Sequence, residues 1–393
     1  MNNTNLFDVV DEYFWYRKLD LEQISIVASQ HLLWTQLEMF KRFLQYWIKP
    51  EDINIIWKNY STNDDVFFAL KNMWFAVDES SNVFDYKKDF DSAFERNIDK
   101  IMVKIEHRPQ ILNKKFIFLD DGGHLVTRAH ENWWQKKYHI IGWIEQTSSG
   151  ITKIKDLDLQ YPFLGIAKSS LKLTLETPHI GNHFVERLIS KIDEHHIENP
   201  NCLVVWSWPI WKAIVIRLSH LGINVIWYDN KTNRNVPGGN LYNYKFRQSP
   251  ENIFNYFWDK LKQFNVIIWA TWSNIMKFGD LKNLWERTLL VSASSSDREF
   301  PSKDIRISSW EKKTIHEDRI YDNVILANSW FPLTFQWNYD EVQSEIIQLT
   351  IASLYWAILF HWAKWLDQDY NWMEFAHLID RIKAQHLQNL SIL

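Results

Sequence analysis

A chain of 393 residues is long enough for two domains with separate cores. Its net charge of −4, with no basic block, excludes nucleic acid as a principal partner. The single cysteine, Cys202, excludes an internal disulfide framework and suits a reducing cytoplasm, and the opening residues MNNTNLFDVVDEYFWYRK lack the charged-then-apolar pattern of an export signal.

In chain order, the stretch LDLEQISIVASQHLLWTQLEMFKRFLQY carries helical periodicity in its second half. INIIWKN, KIMVKI and FIFLDDGG read as short buried strands. Helix-length segments between such strands imply crossovers and a parallel sheet. A helix over His183–Ile197 follows, then strands at Leu203–Val205, Asn224–Tyr228, Asn265–Ile268 and Thr288–Ser292, separated by helical patterns. The last segment, from Asn338, reads as helical almost throughout. Within it Ile346–Leu366 is apolar but interrupted by Gln348, Thr350, His361 and Lys364, which excludes a membrane span. Among the histidines, His195 and His196 sit in a polar helix end, and no HExxH or CxxC occurs, so no metal site is expected.

One segment carries chemistry. Leu203–Leu218 reads LVVWSWPIWKAIVIRL, an apolar run followed at once by a helical pattern. With glycine at Trp206, Trp208 and Trp211 it would be the first turn of a Rossmann dinucleotide-binding unit. Asp229 closes the next apolar run about 20 residues on, where that fold places its ribose-binding acid, and an acid there favours NAD. Composition agrees: glycine, usually about 7% of residues, occurs only 10 times, while tryptophan occurs 23 times. The deficit of one roughly matches the surplus of the other. A UGA codon read as glycine by the source organism and written as tryptophan would account for both, and the wealth of Asn, Lys and Ile suits an AT-rich genome.

Local contexts sort the indoles. In LQYWIKPEDINII and LKNMWFAV, Trp47 and Trp74 fall at the left-handed helix-capping position that glycine favours, the position Gly222 keeps in LSHLGINVI. Trp269 and Trp272, flanking Thr271 at the end of a strand, together with Trp34, Trp57, Trp143, Trp227, Trp330 and Trp337, have similar settings. Trp15, Trp133, Trp134, Trp258, Trp285, Trp310, Trp356, Trp362, Trp365 and Trp372 read as ordinary indoles.

HLLWTQ at His31, KNYSTND at Lys58, LDDGGHL at Leu119, IEQTSSG at Ile144 and AKSSLKLTLE at Ala167 occur in an order and spacing that, with the fingerprint, resemble S-adenosylhomocysteine hydrolase. The resemblance covers most of the chain up to about residue 340. It implies an α/β fold of two doubly wound parallel-sheet domains, a substrate-type domain at 1–186 and a Rossmann NAD-binding domain at 187–328. A C-terminal helical segment, 329–393, would pack back on the first. It further implies NAD as cofactor, a small-molecule substrate, a homo-oligomer, and hydrolysis of a nucleoside thioether through transient 3′-oxidation. By this resemblance Asp121, Lys172, Glu176 and His31 are catalytic candidates: Asp121 a pocket carboxylate, Lys172 the base toward the 3′-hydroxyl, Glu176 in place of an aspartate, and His31 a pocket histidine. Thr147, Ser148, Ser149, Trp206, Trp208, Trp211, Asp229, Thr271 and Asn328 are the cofactor-binding candidates.

The chain also departs from the family pattern. Gln146 stands where a glutamate binds substrate hydroxyls, Leu33 where a threonine follows the pocket histidine, and Ser295-Ser296 where a Gly-His pair follows a Rossmann strand. A second histidine and the Lys–Tyr tail have no counterpart. A catalytically impaired homologue serving as an NAD-binding regulatory module is therefore the alternative. A third class is an indole-rich protein that stacks on sugars or lines an interface.

Overall fold

The computed structural model describes residues 5–15, 19–82, 85, 87–132, 134–169, 172–206, 210–229, 261–271, 276–308, 315–322, 324–334, 344–366, 380 and 384. The chain divides into two compact units, one of residues 1–83, 94–176 and 343–393, the other of residues 84–93 and 177–342.

The first unit is built on strands β1 (Ile24–Leu32), β2 (Ile53–Thr62), β3 (Ala76–Val77), β4 (Lys115–Asp120), β5 (His139–Glu145) and β6 (Phe163–Gly165). They lie in the order β3-β2-β1-β4-β5-β6 and every pairing is parallel. Strands covered on both faces read as continuous rather than alternating apolar runs. β1 accordingly is buried from end to end. Its ISIVASQHL mixes Ser, Gln and His into the run, and neither it nor β5 is singled out as a strand by sequence periodicity.

The longer helices of this part of the chain are α1 (Leu6–Trp15), α2 (Trp34–Phe43), α3 (Asp64–Asn72), α4 (Phe90–Glu106), α5 (His124–Glu131) and α6 (Ser148–Ile154). KIMVKI, expected as a strand, lies inside α4. Phe94, Ile98, Ile101, Met102 and Ile105 are all buried at the three-to-four-residue spacing of a helix face. Six residues were too short a window to reveal that period.

The second unit holds β7 (Asn201–Trp206), β8 (Asn224–Asp229), β9 (Val266–Ala270), β10 (Thr288–Ser292), β11 (Arg319–Tyr321) and β12 (Val324–Leu326), in the order β11-β12-β10-β9-β7-β8. All pairings are parallel except that of edge strand β11 with β12. Its α-helices among the described residues are α7 (Thr177–Glu194), α8 (Ile210–His220) and α9 (Ser302–Ser308). α7 starts six residues before the expected His183, directly after a π-helical turn at Lys172–Glu176. α7 and α8 pack closely because Gly181 has no side chain: a Cβ there would overlap the methyl of Ala213.

α10 (Ser344–Leu366) belongs to the first unit and packs on α1, α2 and β5. No helix among the described residues is long and apolar enough to cross a membrane. The fold is thus α/β with two sheets dominated by parallel pairing, plus a C-terminal helix.

Trp47 and Trp74 adopt the left-handed conformation expected at their turns, with φ of 66° and 67°, as Gly222 does at 73°. Trp133, Trp208, Trp258, Trp272, Trp310, Trp337 and Trp372 lie outside the described residues.

Candidate active site

In an open parallel sheet, ligands bind beyond the carboxyl ends of the strands at the point where strand order reverses. In the first unit that point lies between β1 and β4, and β1 ends with His31 and Leu32 while Asp121 directly follows β4. β2 departs from regular pairing at the same level: Gln30 pairs with Trp57 but Leu32 pairs with Thr62. The residues between bulge out of register, held by Thr62 Oγ1 donating to the Lys58 carbonyl at 3.0 Å. The bulge presents Lys58 and Ser61 to His31 and Asp121.

Asp121 is the hub. Its Oδ1 accepts from Lys58 Nζ, and its Oδ2 takes His31 Nε2 at 2.9 Å and the Gln146 amide. The other imidazole nitrogen of His31 meets Ser61 Oγ. Asp121, Lys58 and His31 are all buried. Removal from water opposes ionisation of Asp121, but the Lys58 ammonium and His31 outweigh it and hold the carboxyl well below the usual carboxylate range. Burial lowers the His31 pKa despite its carboxylate partner, since the nearby Lys58 and Lys172 charges also disfavour a second cation. The resting arrangement is an Asp121–Lys58 ion pair beside a neutral imidazole.

The two glycines of LDDGG and the TSSG segment are locked together by Glu145. Its carboxylate accepts from Gly122 N at 3.1 Å, Gly123 N at 2.9 Å and Thr147 N at 2.6 Å. Gly150 must lack a side chain because a Cβ there would fall inside that carboxylate. Asp120 accepts from Asp121 N at 2.8 Å and Val126 N at 2.9 Å, pinning the same turn. Burial raises both acids, Asp120 to about 6; the Asp121 charge also disfavours ionisation of Asp120, and the Asp120 and Asp121 charges disfavour that of Glu145.

Lys172 and Glu176 approach from the π-helical turn, a form that recurs at functional sites. Lys172 Nζ donates to the Gln146 carbonyl at 3.0 Å and lies 3.8 Å from Glu176 Oε1. Glu176 is buried and accepts from the Thr350 hydroxyl of α10. The expected quartet His31, Asp121, Lys172 and Glu176 thus stands in one neighbourhood, with Gln146 bridging its halves. Thr147 caps α6, accepting from Gly150 N at 3.0 Å and donating to Glu145 at 2.7 Å, while Ser148 and Ser149 are buried beside it.

In the second unit the reversal lies between β7 and β9. Trp206 ends β7 level with Asp229 on β8 and with Ala270 on β9, so the first fingerprint position, the acid and the residue before Thr271 lie at the same carboxyl end of the sheet. Thr271 N donates to buried Glu299, whose other oxygen accepts from Ser292 Oγ at 2.9 Å. Trp211, on α8, is buried with its ring 4.9 Å from that of Trp227 on β8. Asn328 is buried in a left-handed conformation, its amide donating to the carbonyls of Phe331 at 3.1 Å and Pro332 at 3.0 Å. Trp208 is outside the described residues. Glu194, His195 and Asp318 form the one cluster of metal-ligand type among the described residues. Lys191 Nζ already sits 2.9 Å from both Glu194 and Asp318, so this is an ion-pair network.

Lys58, Ser61 and Glu145 were not foreseen as site residues. Lys58 sits within the quoted motif KNYSTND, but nothing in a single sequence marks a β-bulge. Glu145 precedes the position that drew notice, Gln146, and its role shows only once the LDDGG turn is folded against it.

No protein-family model matches the chain. It is 28% identical over 368 residues to an uncharacterised protein of Mycobacterium tuberculosis, covering 92% of this chain and 68% of that one. It is 23% identical over 266 residues to an adenosylhomocysteinase of Thermoplasma volcanium, covering 65% and 58%. Among solved structures it resembles a glyoxylate/hydroxypyruvate reductase of Sinorhizobium meliloti, crystallised with NADP and malonate. That likeness has 7% identity over 87% of this chain and 94% of that one, and a TM-score of 0.43, too low to bear on function.

Proposed function

We propose that this chain is an adenosylhomocysteinase-like enzyme that hydrolyses S-adenosylhomocysteine or a related nucleoside thioether, with NAD held by its second unit. The observation that carries the reading is the buried Asp121–Lys58–His31 cluster at the switch point of the first sheet, with Lys172 beside it. Asp121 is the fixed anion that orients His31. His31, kept neutral by burial, and Lys172, on a flexible stem, are the groups that would exchange protons with a bound substrate's hydroxyls. The carboxyl end of the second unit's sheet, at Trp206, Asp229 and Ala270, is where a dinucleotide would lie.

The residues written at the fingerprint do not fit that cofactor. The second glycine of such a turn lets the backbone approach the pyrophosphate and the third lets helix and strand pack closely. Here Trp208 stands at the second, and the Trp211 indole fills the contact of α8 with β8 at the third. NAD is therefore assigned to a natural chain with glycine at Trp206, Trp208 and Trp211.

Gln146 favours a second reading, an NAD-binding regulatory homologue without hydrolysis, because its amide donates to Asp121 where a carboxylate is wanted. Protein purified from its natural source separates the two. Adenosine released from S-adenosylhomocysteine supports the enzyme. Bound NAD, measured after acid denaturation, without adenosine release supports the regulatory module, and absence of both sinks the two together.

A further inference from the structure

The disagreement at the fingerprint extends across the fold, and it points to the identity of the residues themselves. We infer that the natural protein carries glycine at Trp47, Trp57, Trp74, Trp143, Trp211 and Trp227, where its own translation reads UGA as glycine, and tryptophan at Trp362.

The first observation is backbone conformation. α3 ends with Phe75 N donating to the Leu70 carbonyl at 3.1 Å and Trp74 N to that of Lys71 at 2.9 Å. α8 ends with Ile223 N donating to Leu218 at 3.1 Å and Gly222 N to Ser219 at 3.0 Å. The two ends are the same Schellman closure, with the same 6→1 and 5→2 bonds. Gly222 occupies the left-handed position in one and Trp74 in the other. His196 holds a similar place after α7, but histidine is among the residues enriched there, whereas a bulky apolar residue at positive φ is an outlier. Trp47 repeats the feature after the turn Leu44–Tyr46. Nothing compensates for the strain, since Trp47 is 74% and Trp74 81% exposed.

The second observation is hydrogen bonding. A buried indole N–H normally finds an acceptor. Trp362 obeys, donating to the Asp20 carbonyl at 2.7 Å. Trp57 on β2, Trp143 on β5 and Trp227 on β8 do not: each buries its Nε1 with no partner among the described residues. In sequence these three stand in glycine-like contexts and Trp362 among the ordinary indoles. Trp211 joins them because its ring packs on that of Trp227 at the helix–strand contact where the fingerprint wants glycine.

At Trp211 the inference rests also on the cofactor reading; at the other five positions backbone and indole geometry carry it alone. Its test is peptide mass spectrometry of the protein isolated from its source, with sequencing of its gene. Glycine in the peptides spanning the six positions, UGA at their codons, and tryptophan encoded by UGG at Trp362 are expected. Tryptophan in the natural peptides at Trp47 and Trp74, or glycine at Trp362, would overturn it. Glycine at all six in a protein that holds no NAD would sink the cofactor reading and leave this one standing.

Discussion

At the scale of single residues, the candidate site is an electrostatic balance around one carboxylate. Lys58 is the buried counter-charge of Asp121, so replacing it leaves an anion in the interior with only a neutral imidazole and an amide for company. Breaking a buried pair from one side costs about 3–5 kcal/mol, far more than the pair contributes relative to an apolar replacement of both partners. Lys58→Met should therefore lower the urea-unfolding stability by that order, and an unchanged midpoint would remove Lys58 from the account. A second residue sets a pH dependence. His361 on α10 is buried against Gly142, where a Cβ would come within 2.5 Å of its ring, and burial pushes it down to about 4. With a folded pKa below the ordinary histidine value of about 6.5, its contribution is fully present above that value and is lost as pH falls toward 4. His361→Leu should flatten the loss of unfolding stability between those limits; an identical pH profile for both proteins would contradict it. The residue types at the site were readable in advance: His31, Asp121, Lys172 and Glu176 stand in motifs. Lys58 was not, because its partner lies 63 positions away and a bulge aims it.

At the scale of elements, the turn after β4 and the start of α6 form one device closed by Glu145. Three backbone N–H groups converge on its carboxylate, and Gly150 leaves the space it occupies. Gly150→Ala should displace Glu145 and loosen the LDDGG turn, costing about 1–3 kcal/mol as overpacking usually does. Gly279→Ala is the control: its Cβ would meet nothing within 4 Å and its φ is ordinary, so stability should hold or rise by about 0.4–1 kcal/mol. Equal losses in thermal melts of the two variants would show that the clamp is not what Gly150 protects. In the second unit sequence periodicity marks β7 to β10, which are apolar runs bounded by turn residues, and passes over the three-residue strands β11 and β12. It failed at KIMVKI because six residues of a helix face resemble a strand when the rest of the helix is diluted by charges. It passed over β1 because a strand that delivers side chains to a site carries polar residues at its carboxyl end.

At the scale of the whole chain, the first unit is discontinuous, and its last piece comes from beyond the second unit in sequence. α10 is apolar on every side, which is the signature of a helix enclosed by others. Its Leu349, Tyr355, Trp356, Leu359, Phe360 and Trp362 are buried in the same core as α1 and β1. Its polar groups are placed just as firmly. The Tyr355 hydroxyl donates to Asp11 of α1 at 2.5 Å, alongside that of Tyr46 at 2.8 Å, and the Trp362 indole donates to the Asp20 carbonyl. Thr350 donates to Glu176, the residue that faces Lys172, so α10 also supports the candidate site from behind. Burial of one large apolar side chain is worth about 1.5–3 kcal/mol, and whole domains are stable by only about 5–15 kcal/mol. Six such side chains come to about 9–18 kcal/mol, on the order of the whole stability of a domain, so the first unit is not expected to survive their loss. A chain ended at residue 343 should therefore lose the cooperative unfolding of its first unit and bind a hydrophobic dye. The second unit's sheet, complete by Leu326, should keep its own transition. Two intact transitions in calorimetry of the truncated chain would show instead that α10 is an appendage, and the core drawn around it would have to be redrawn without it.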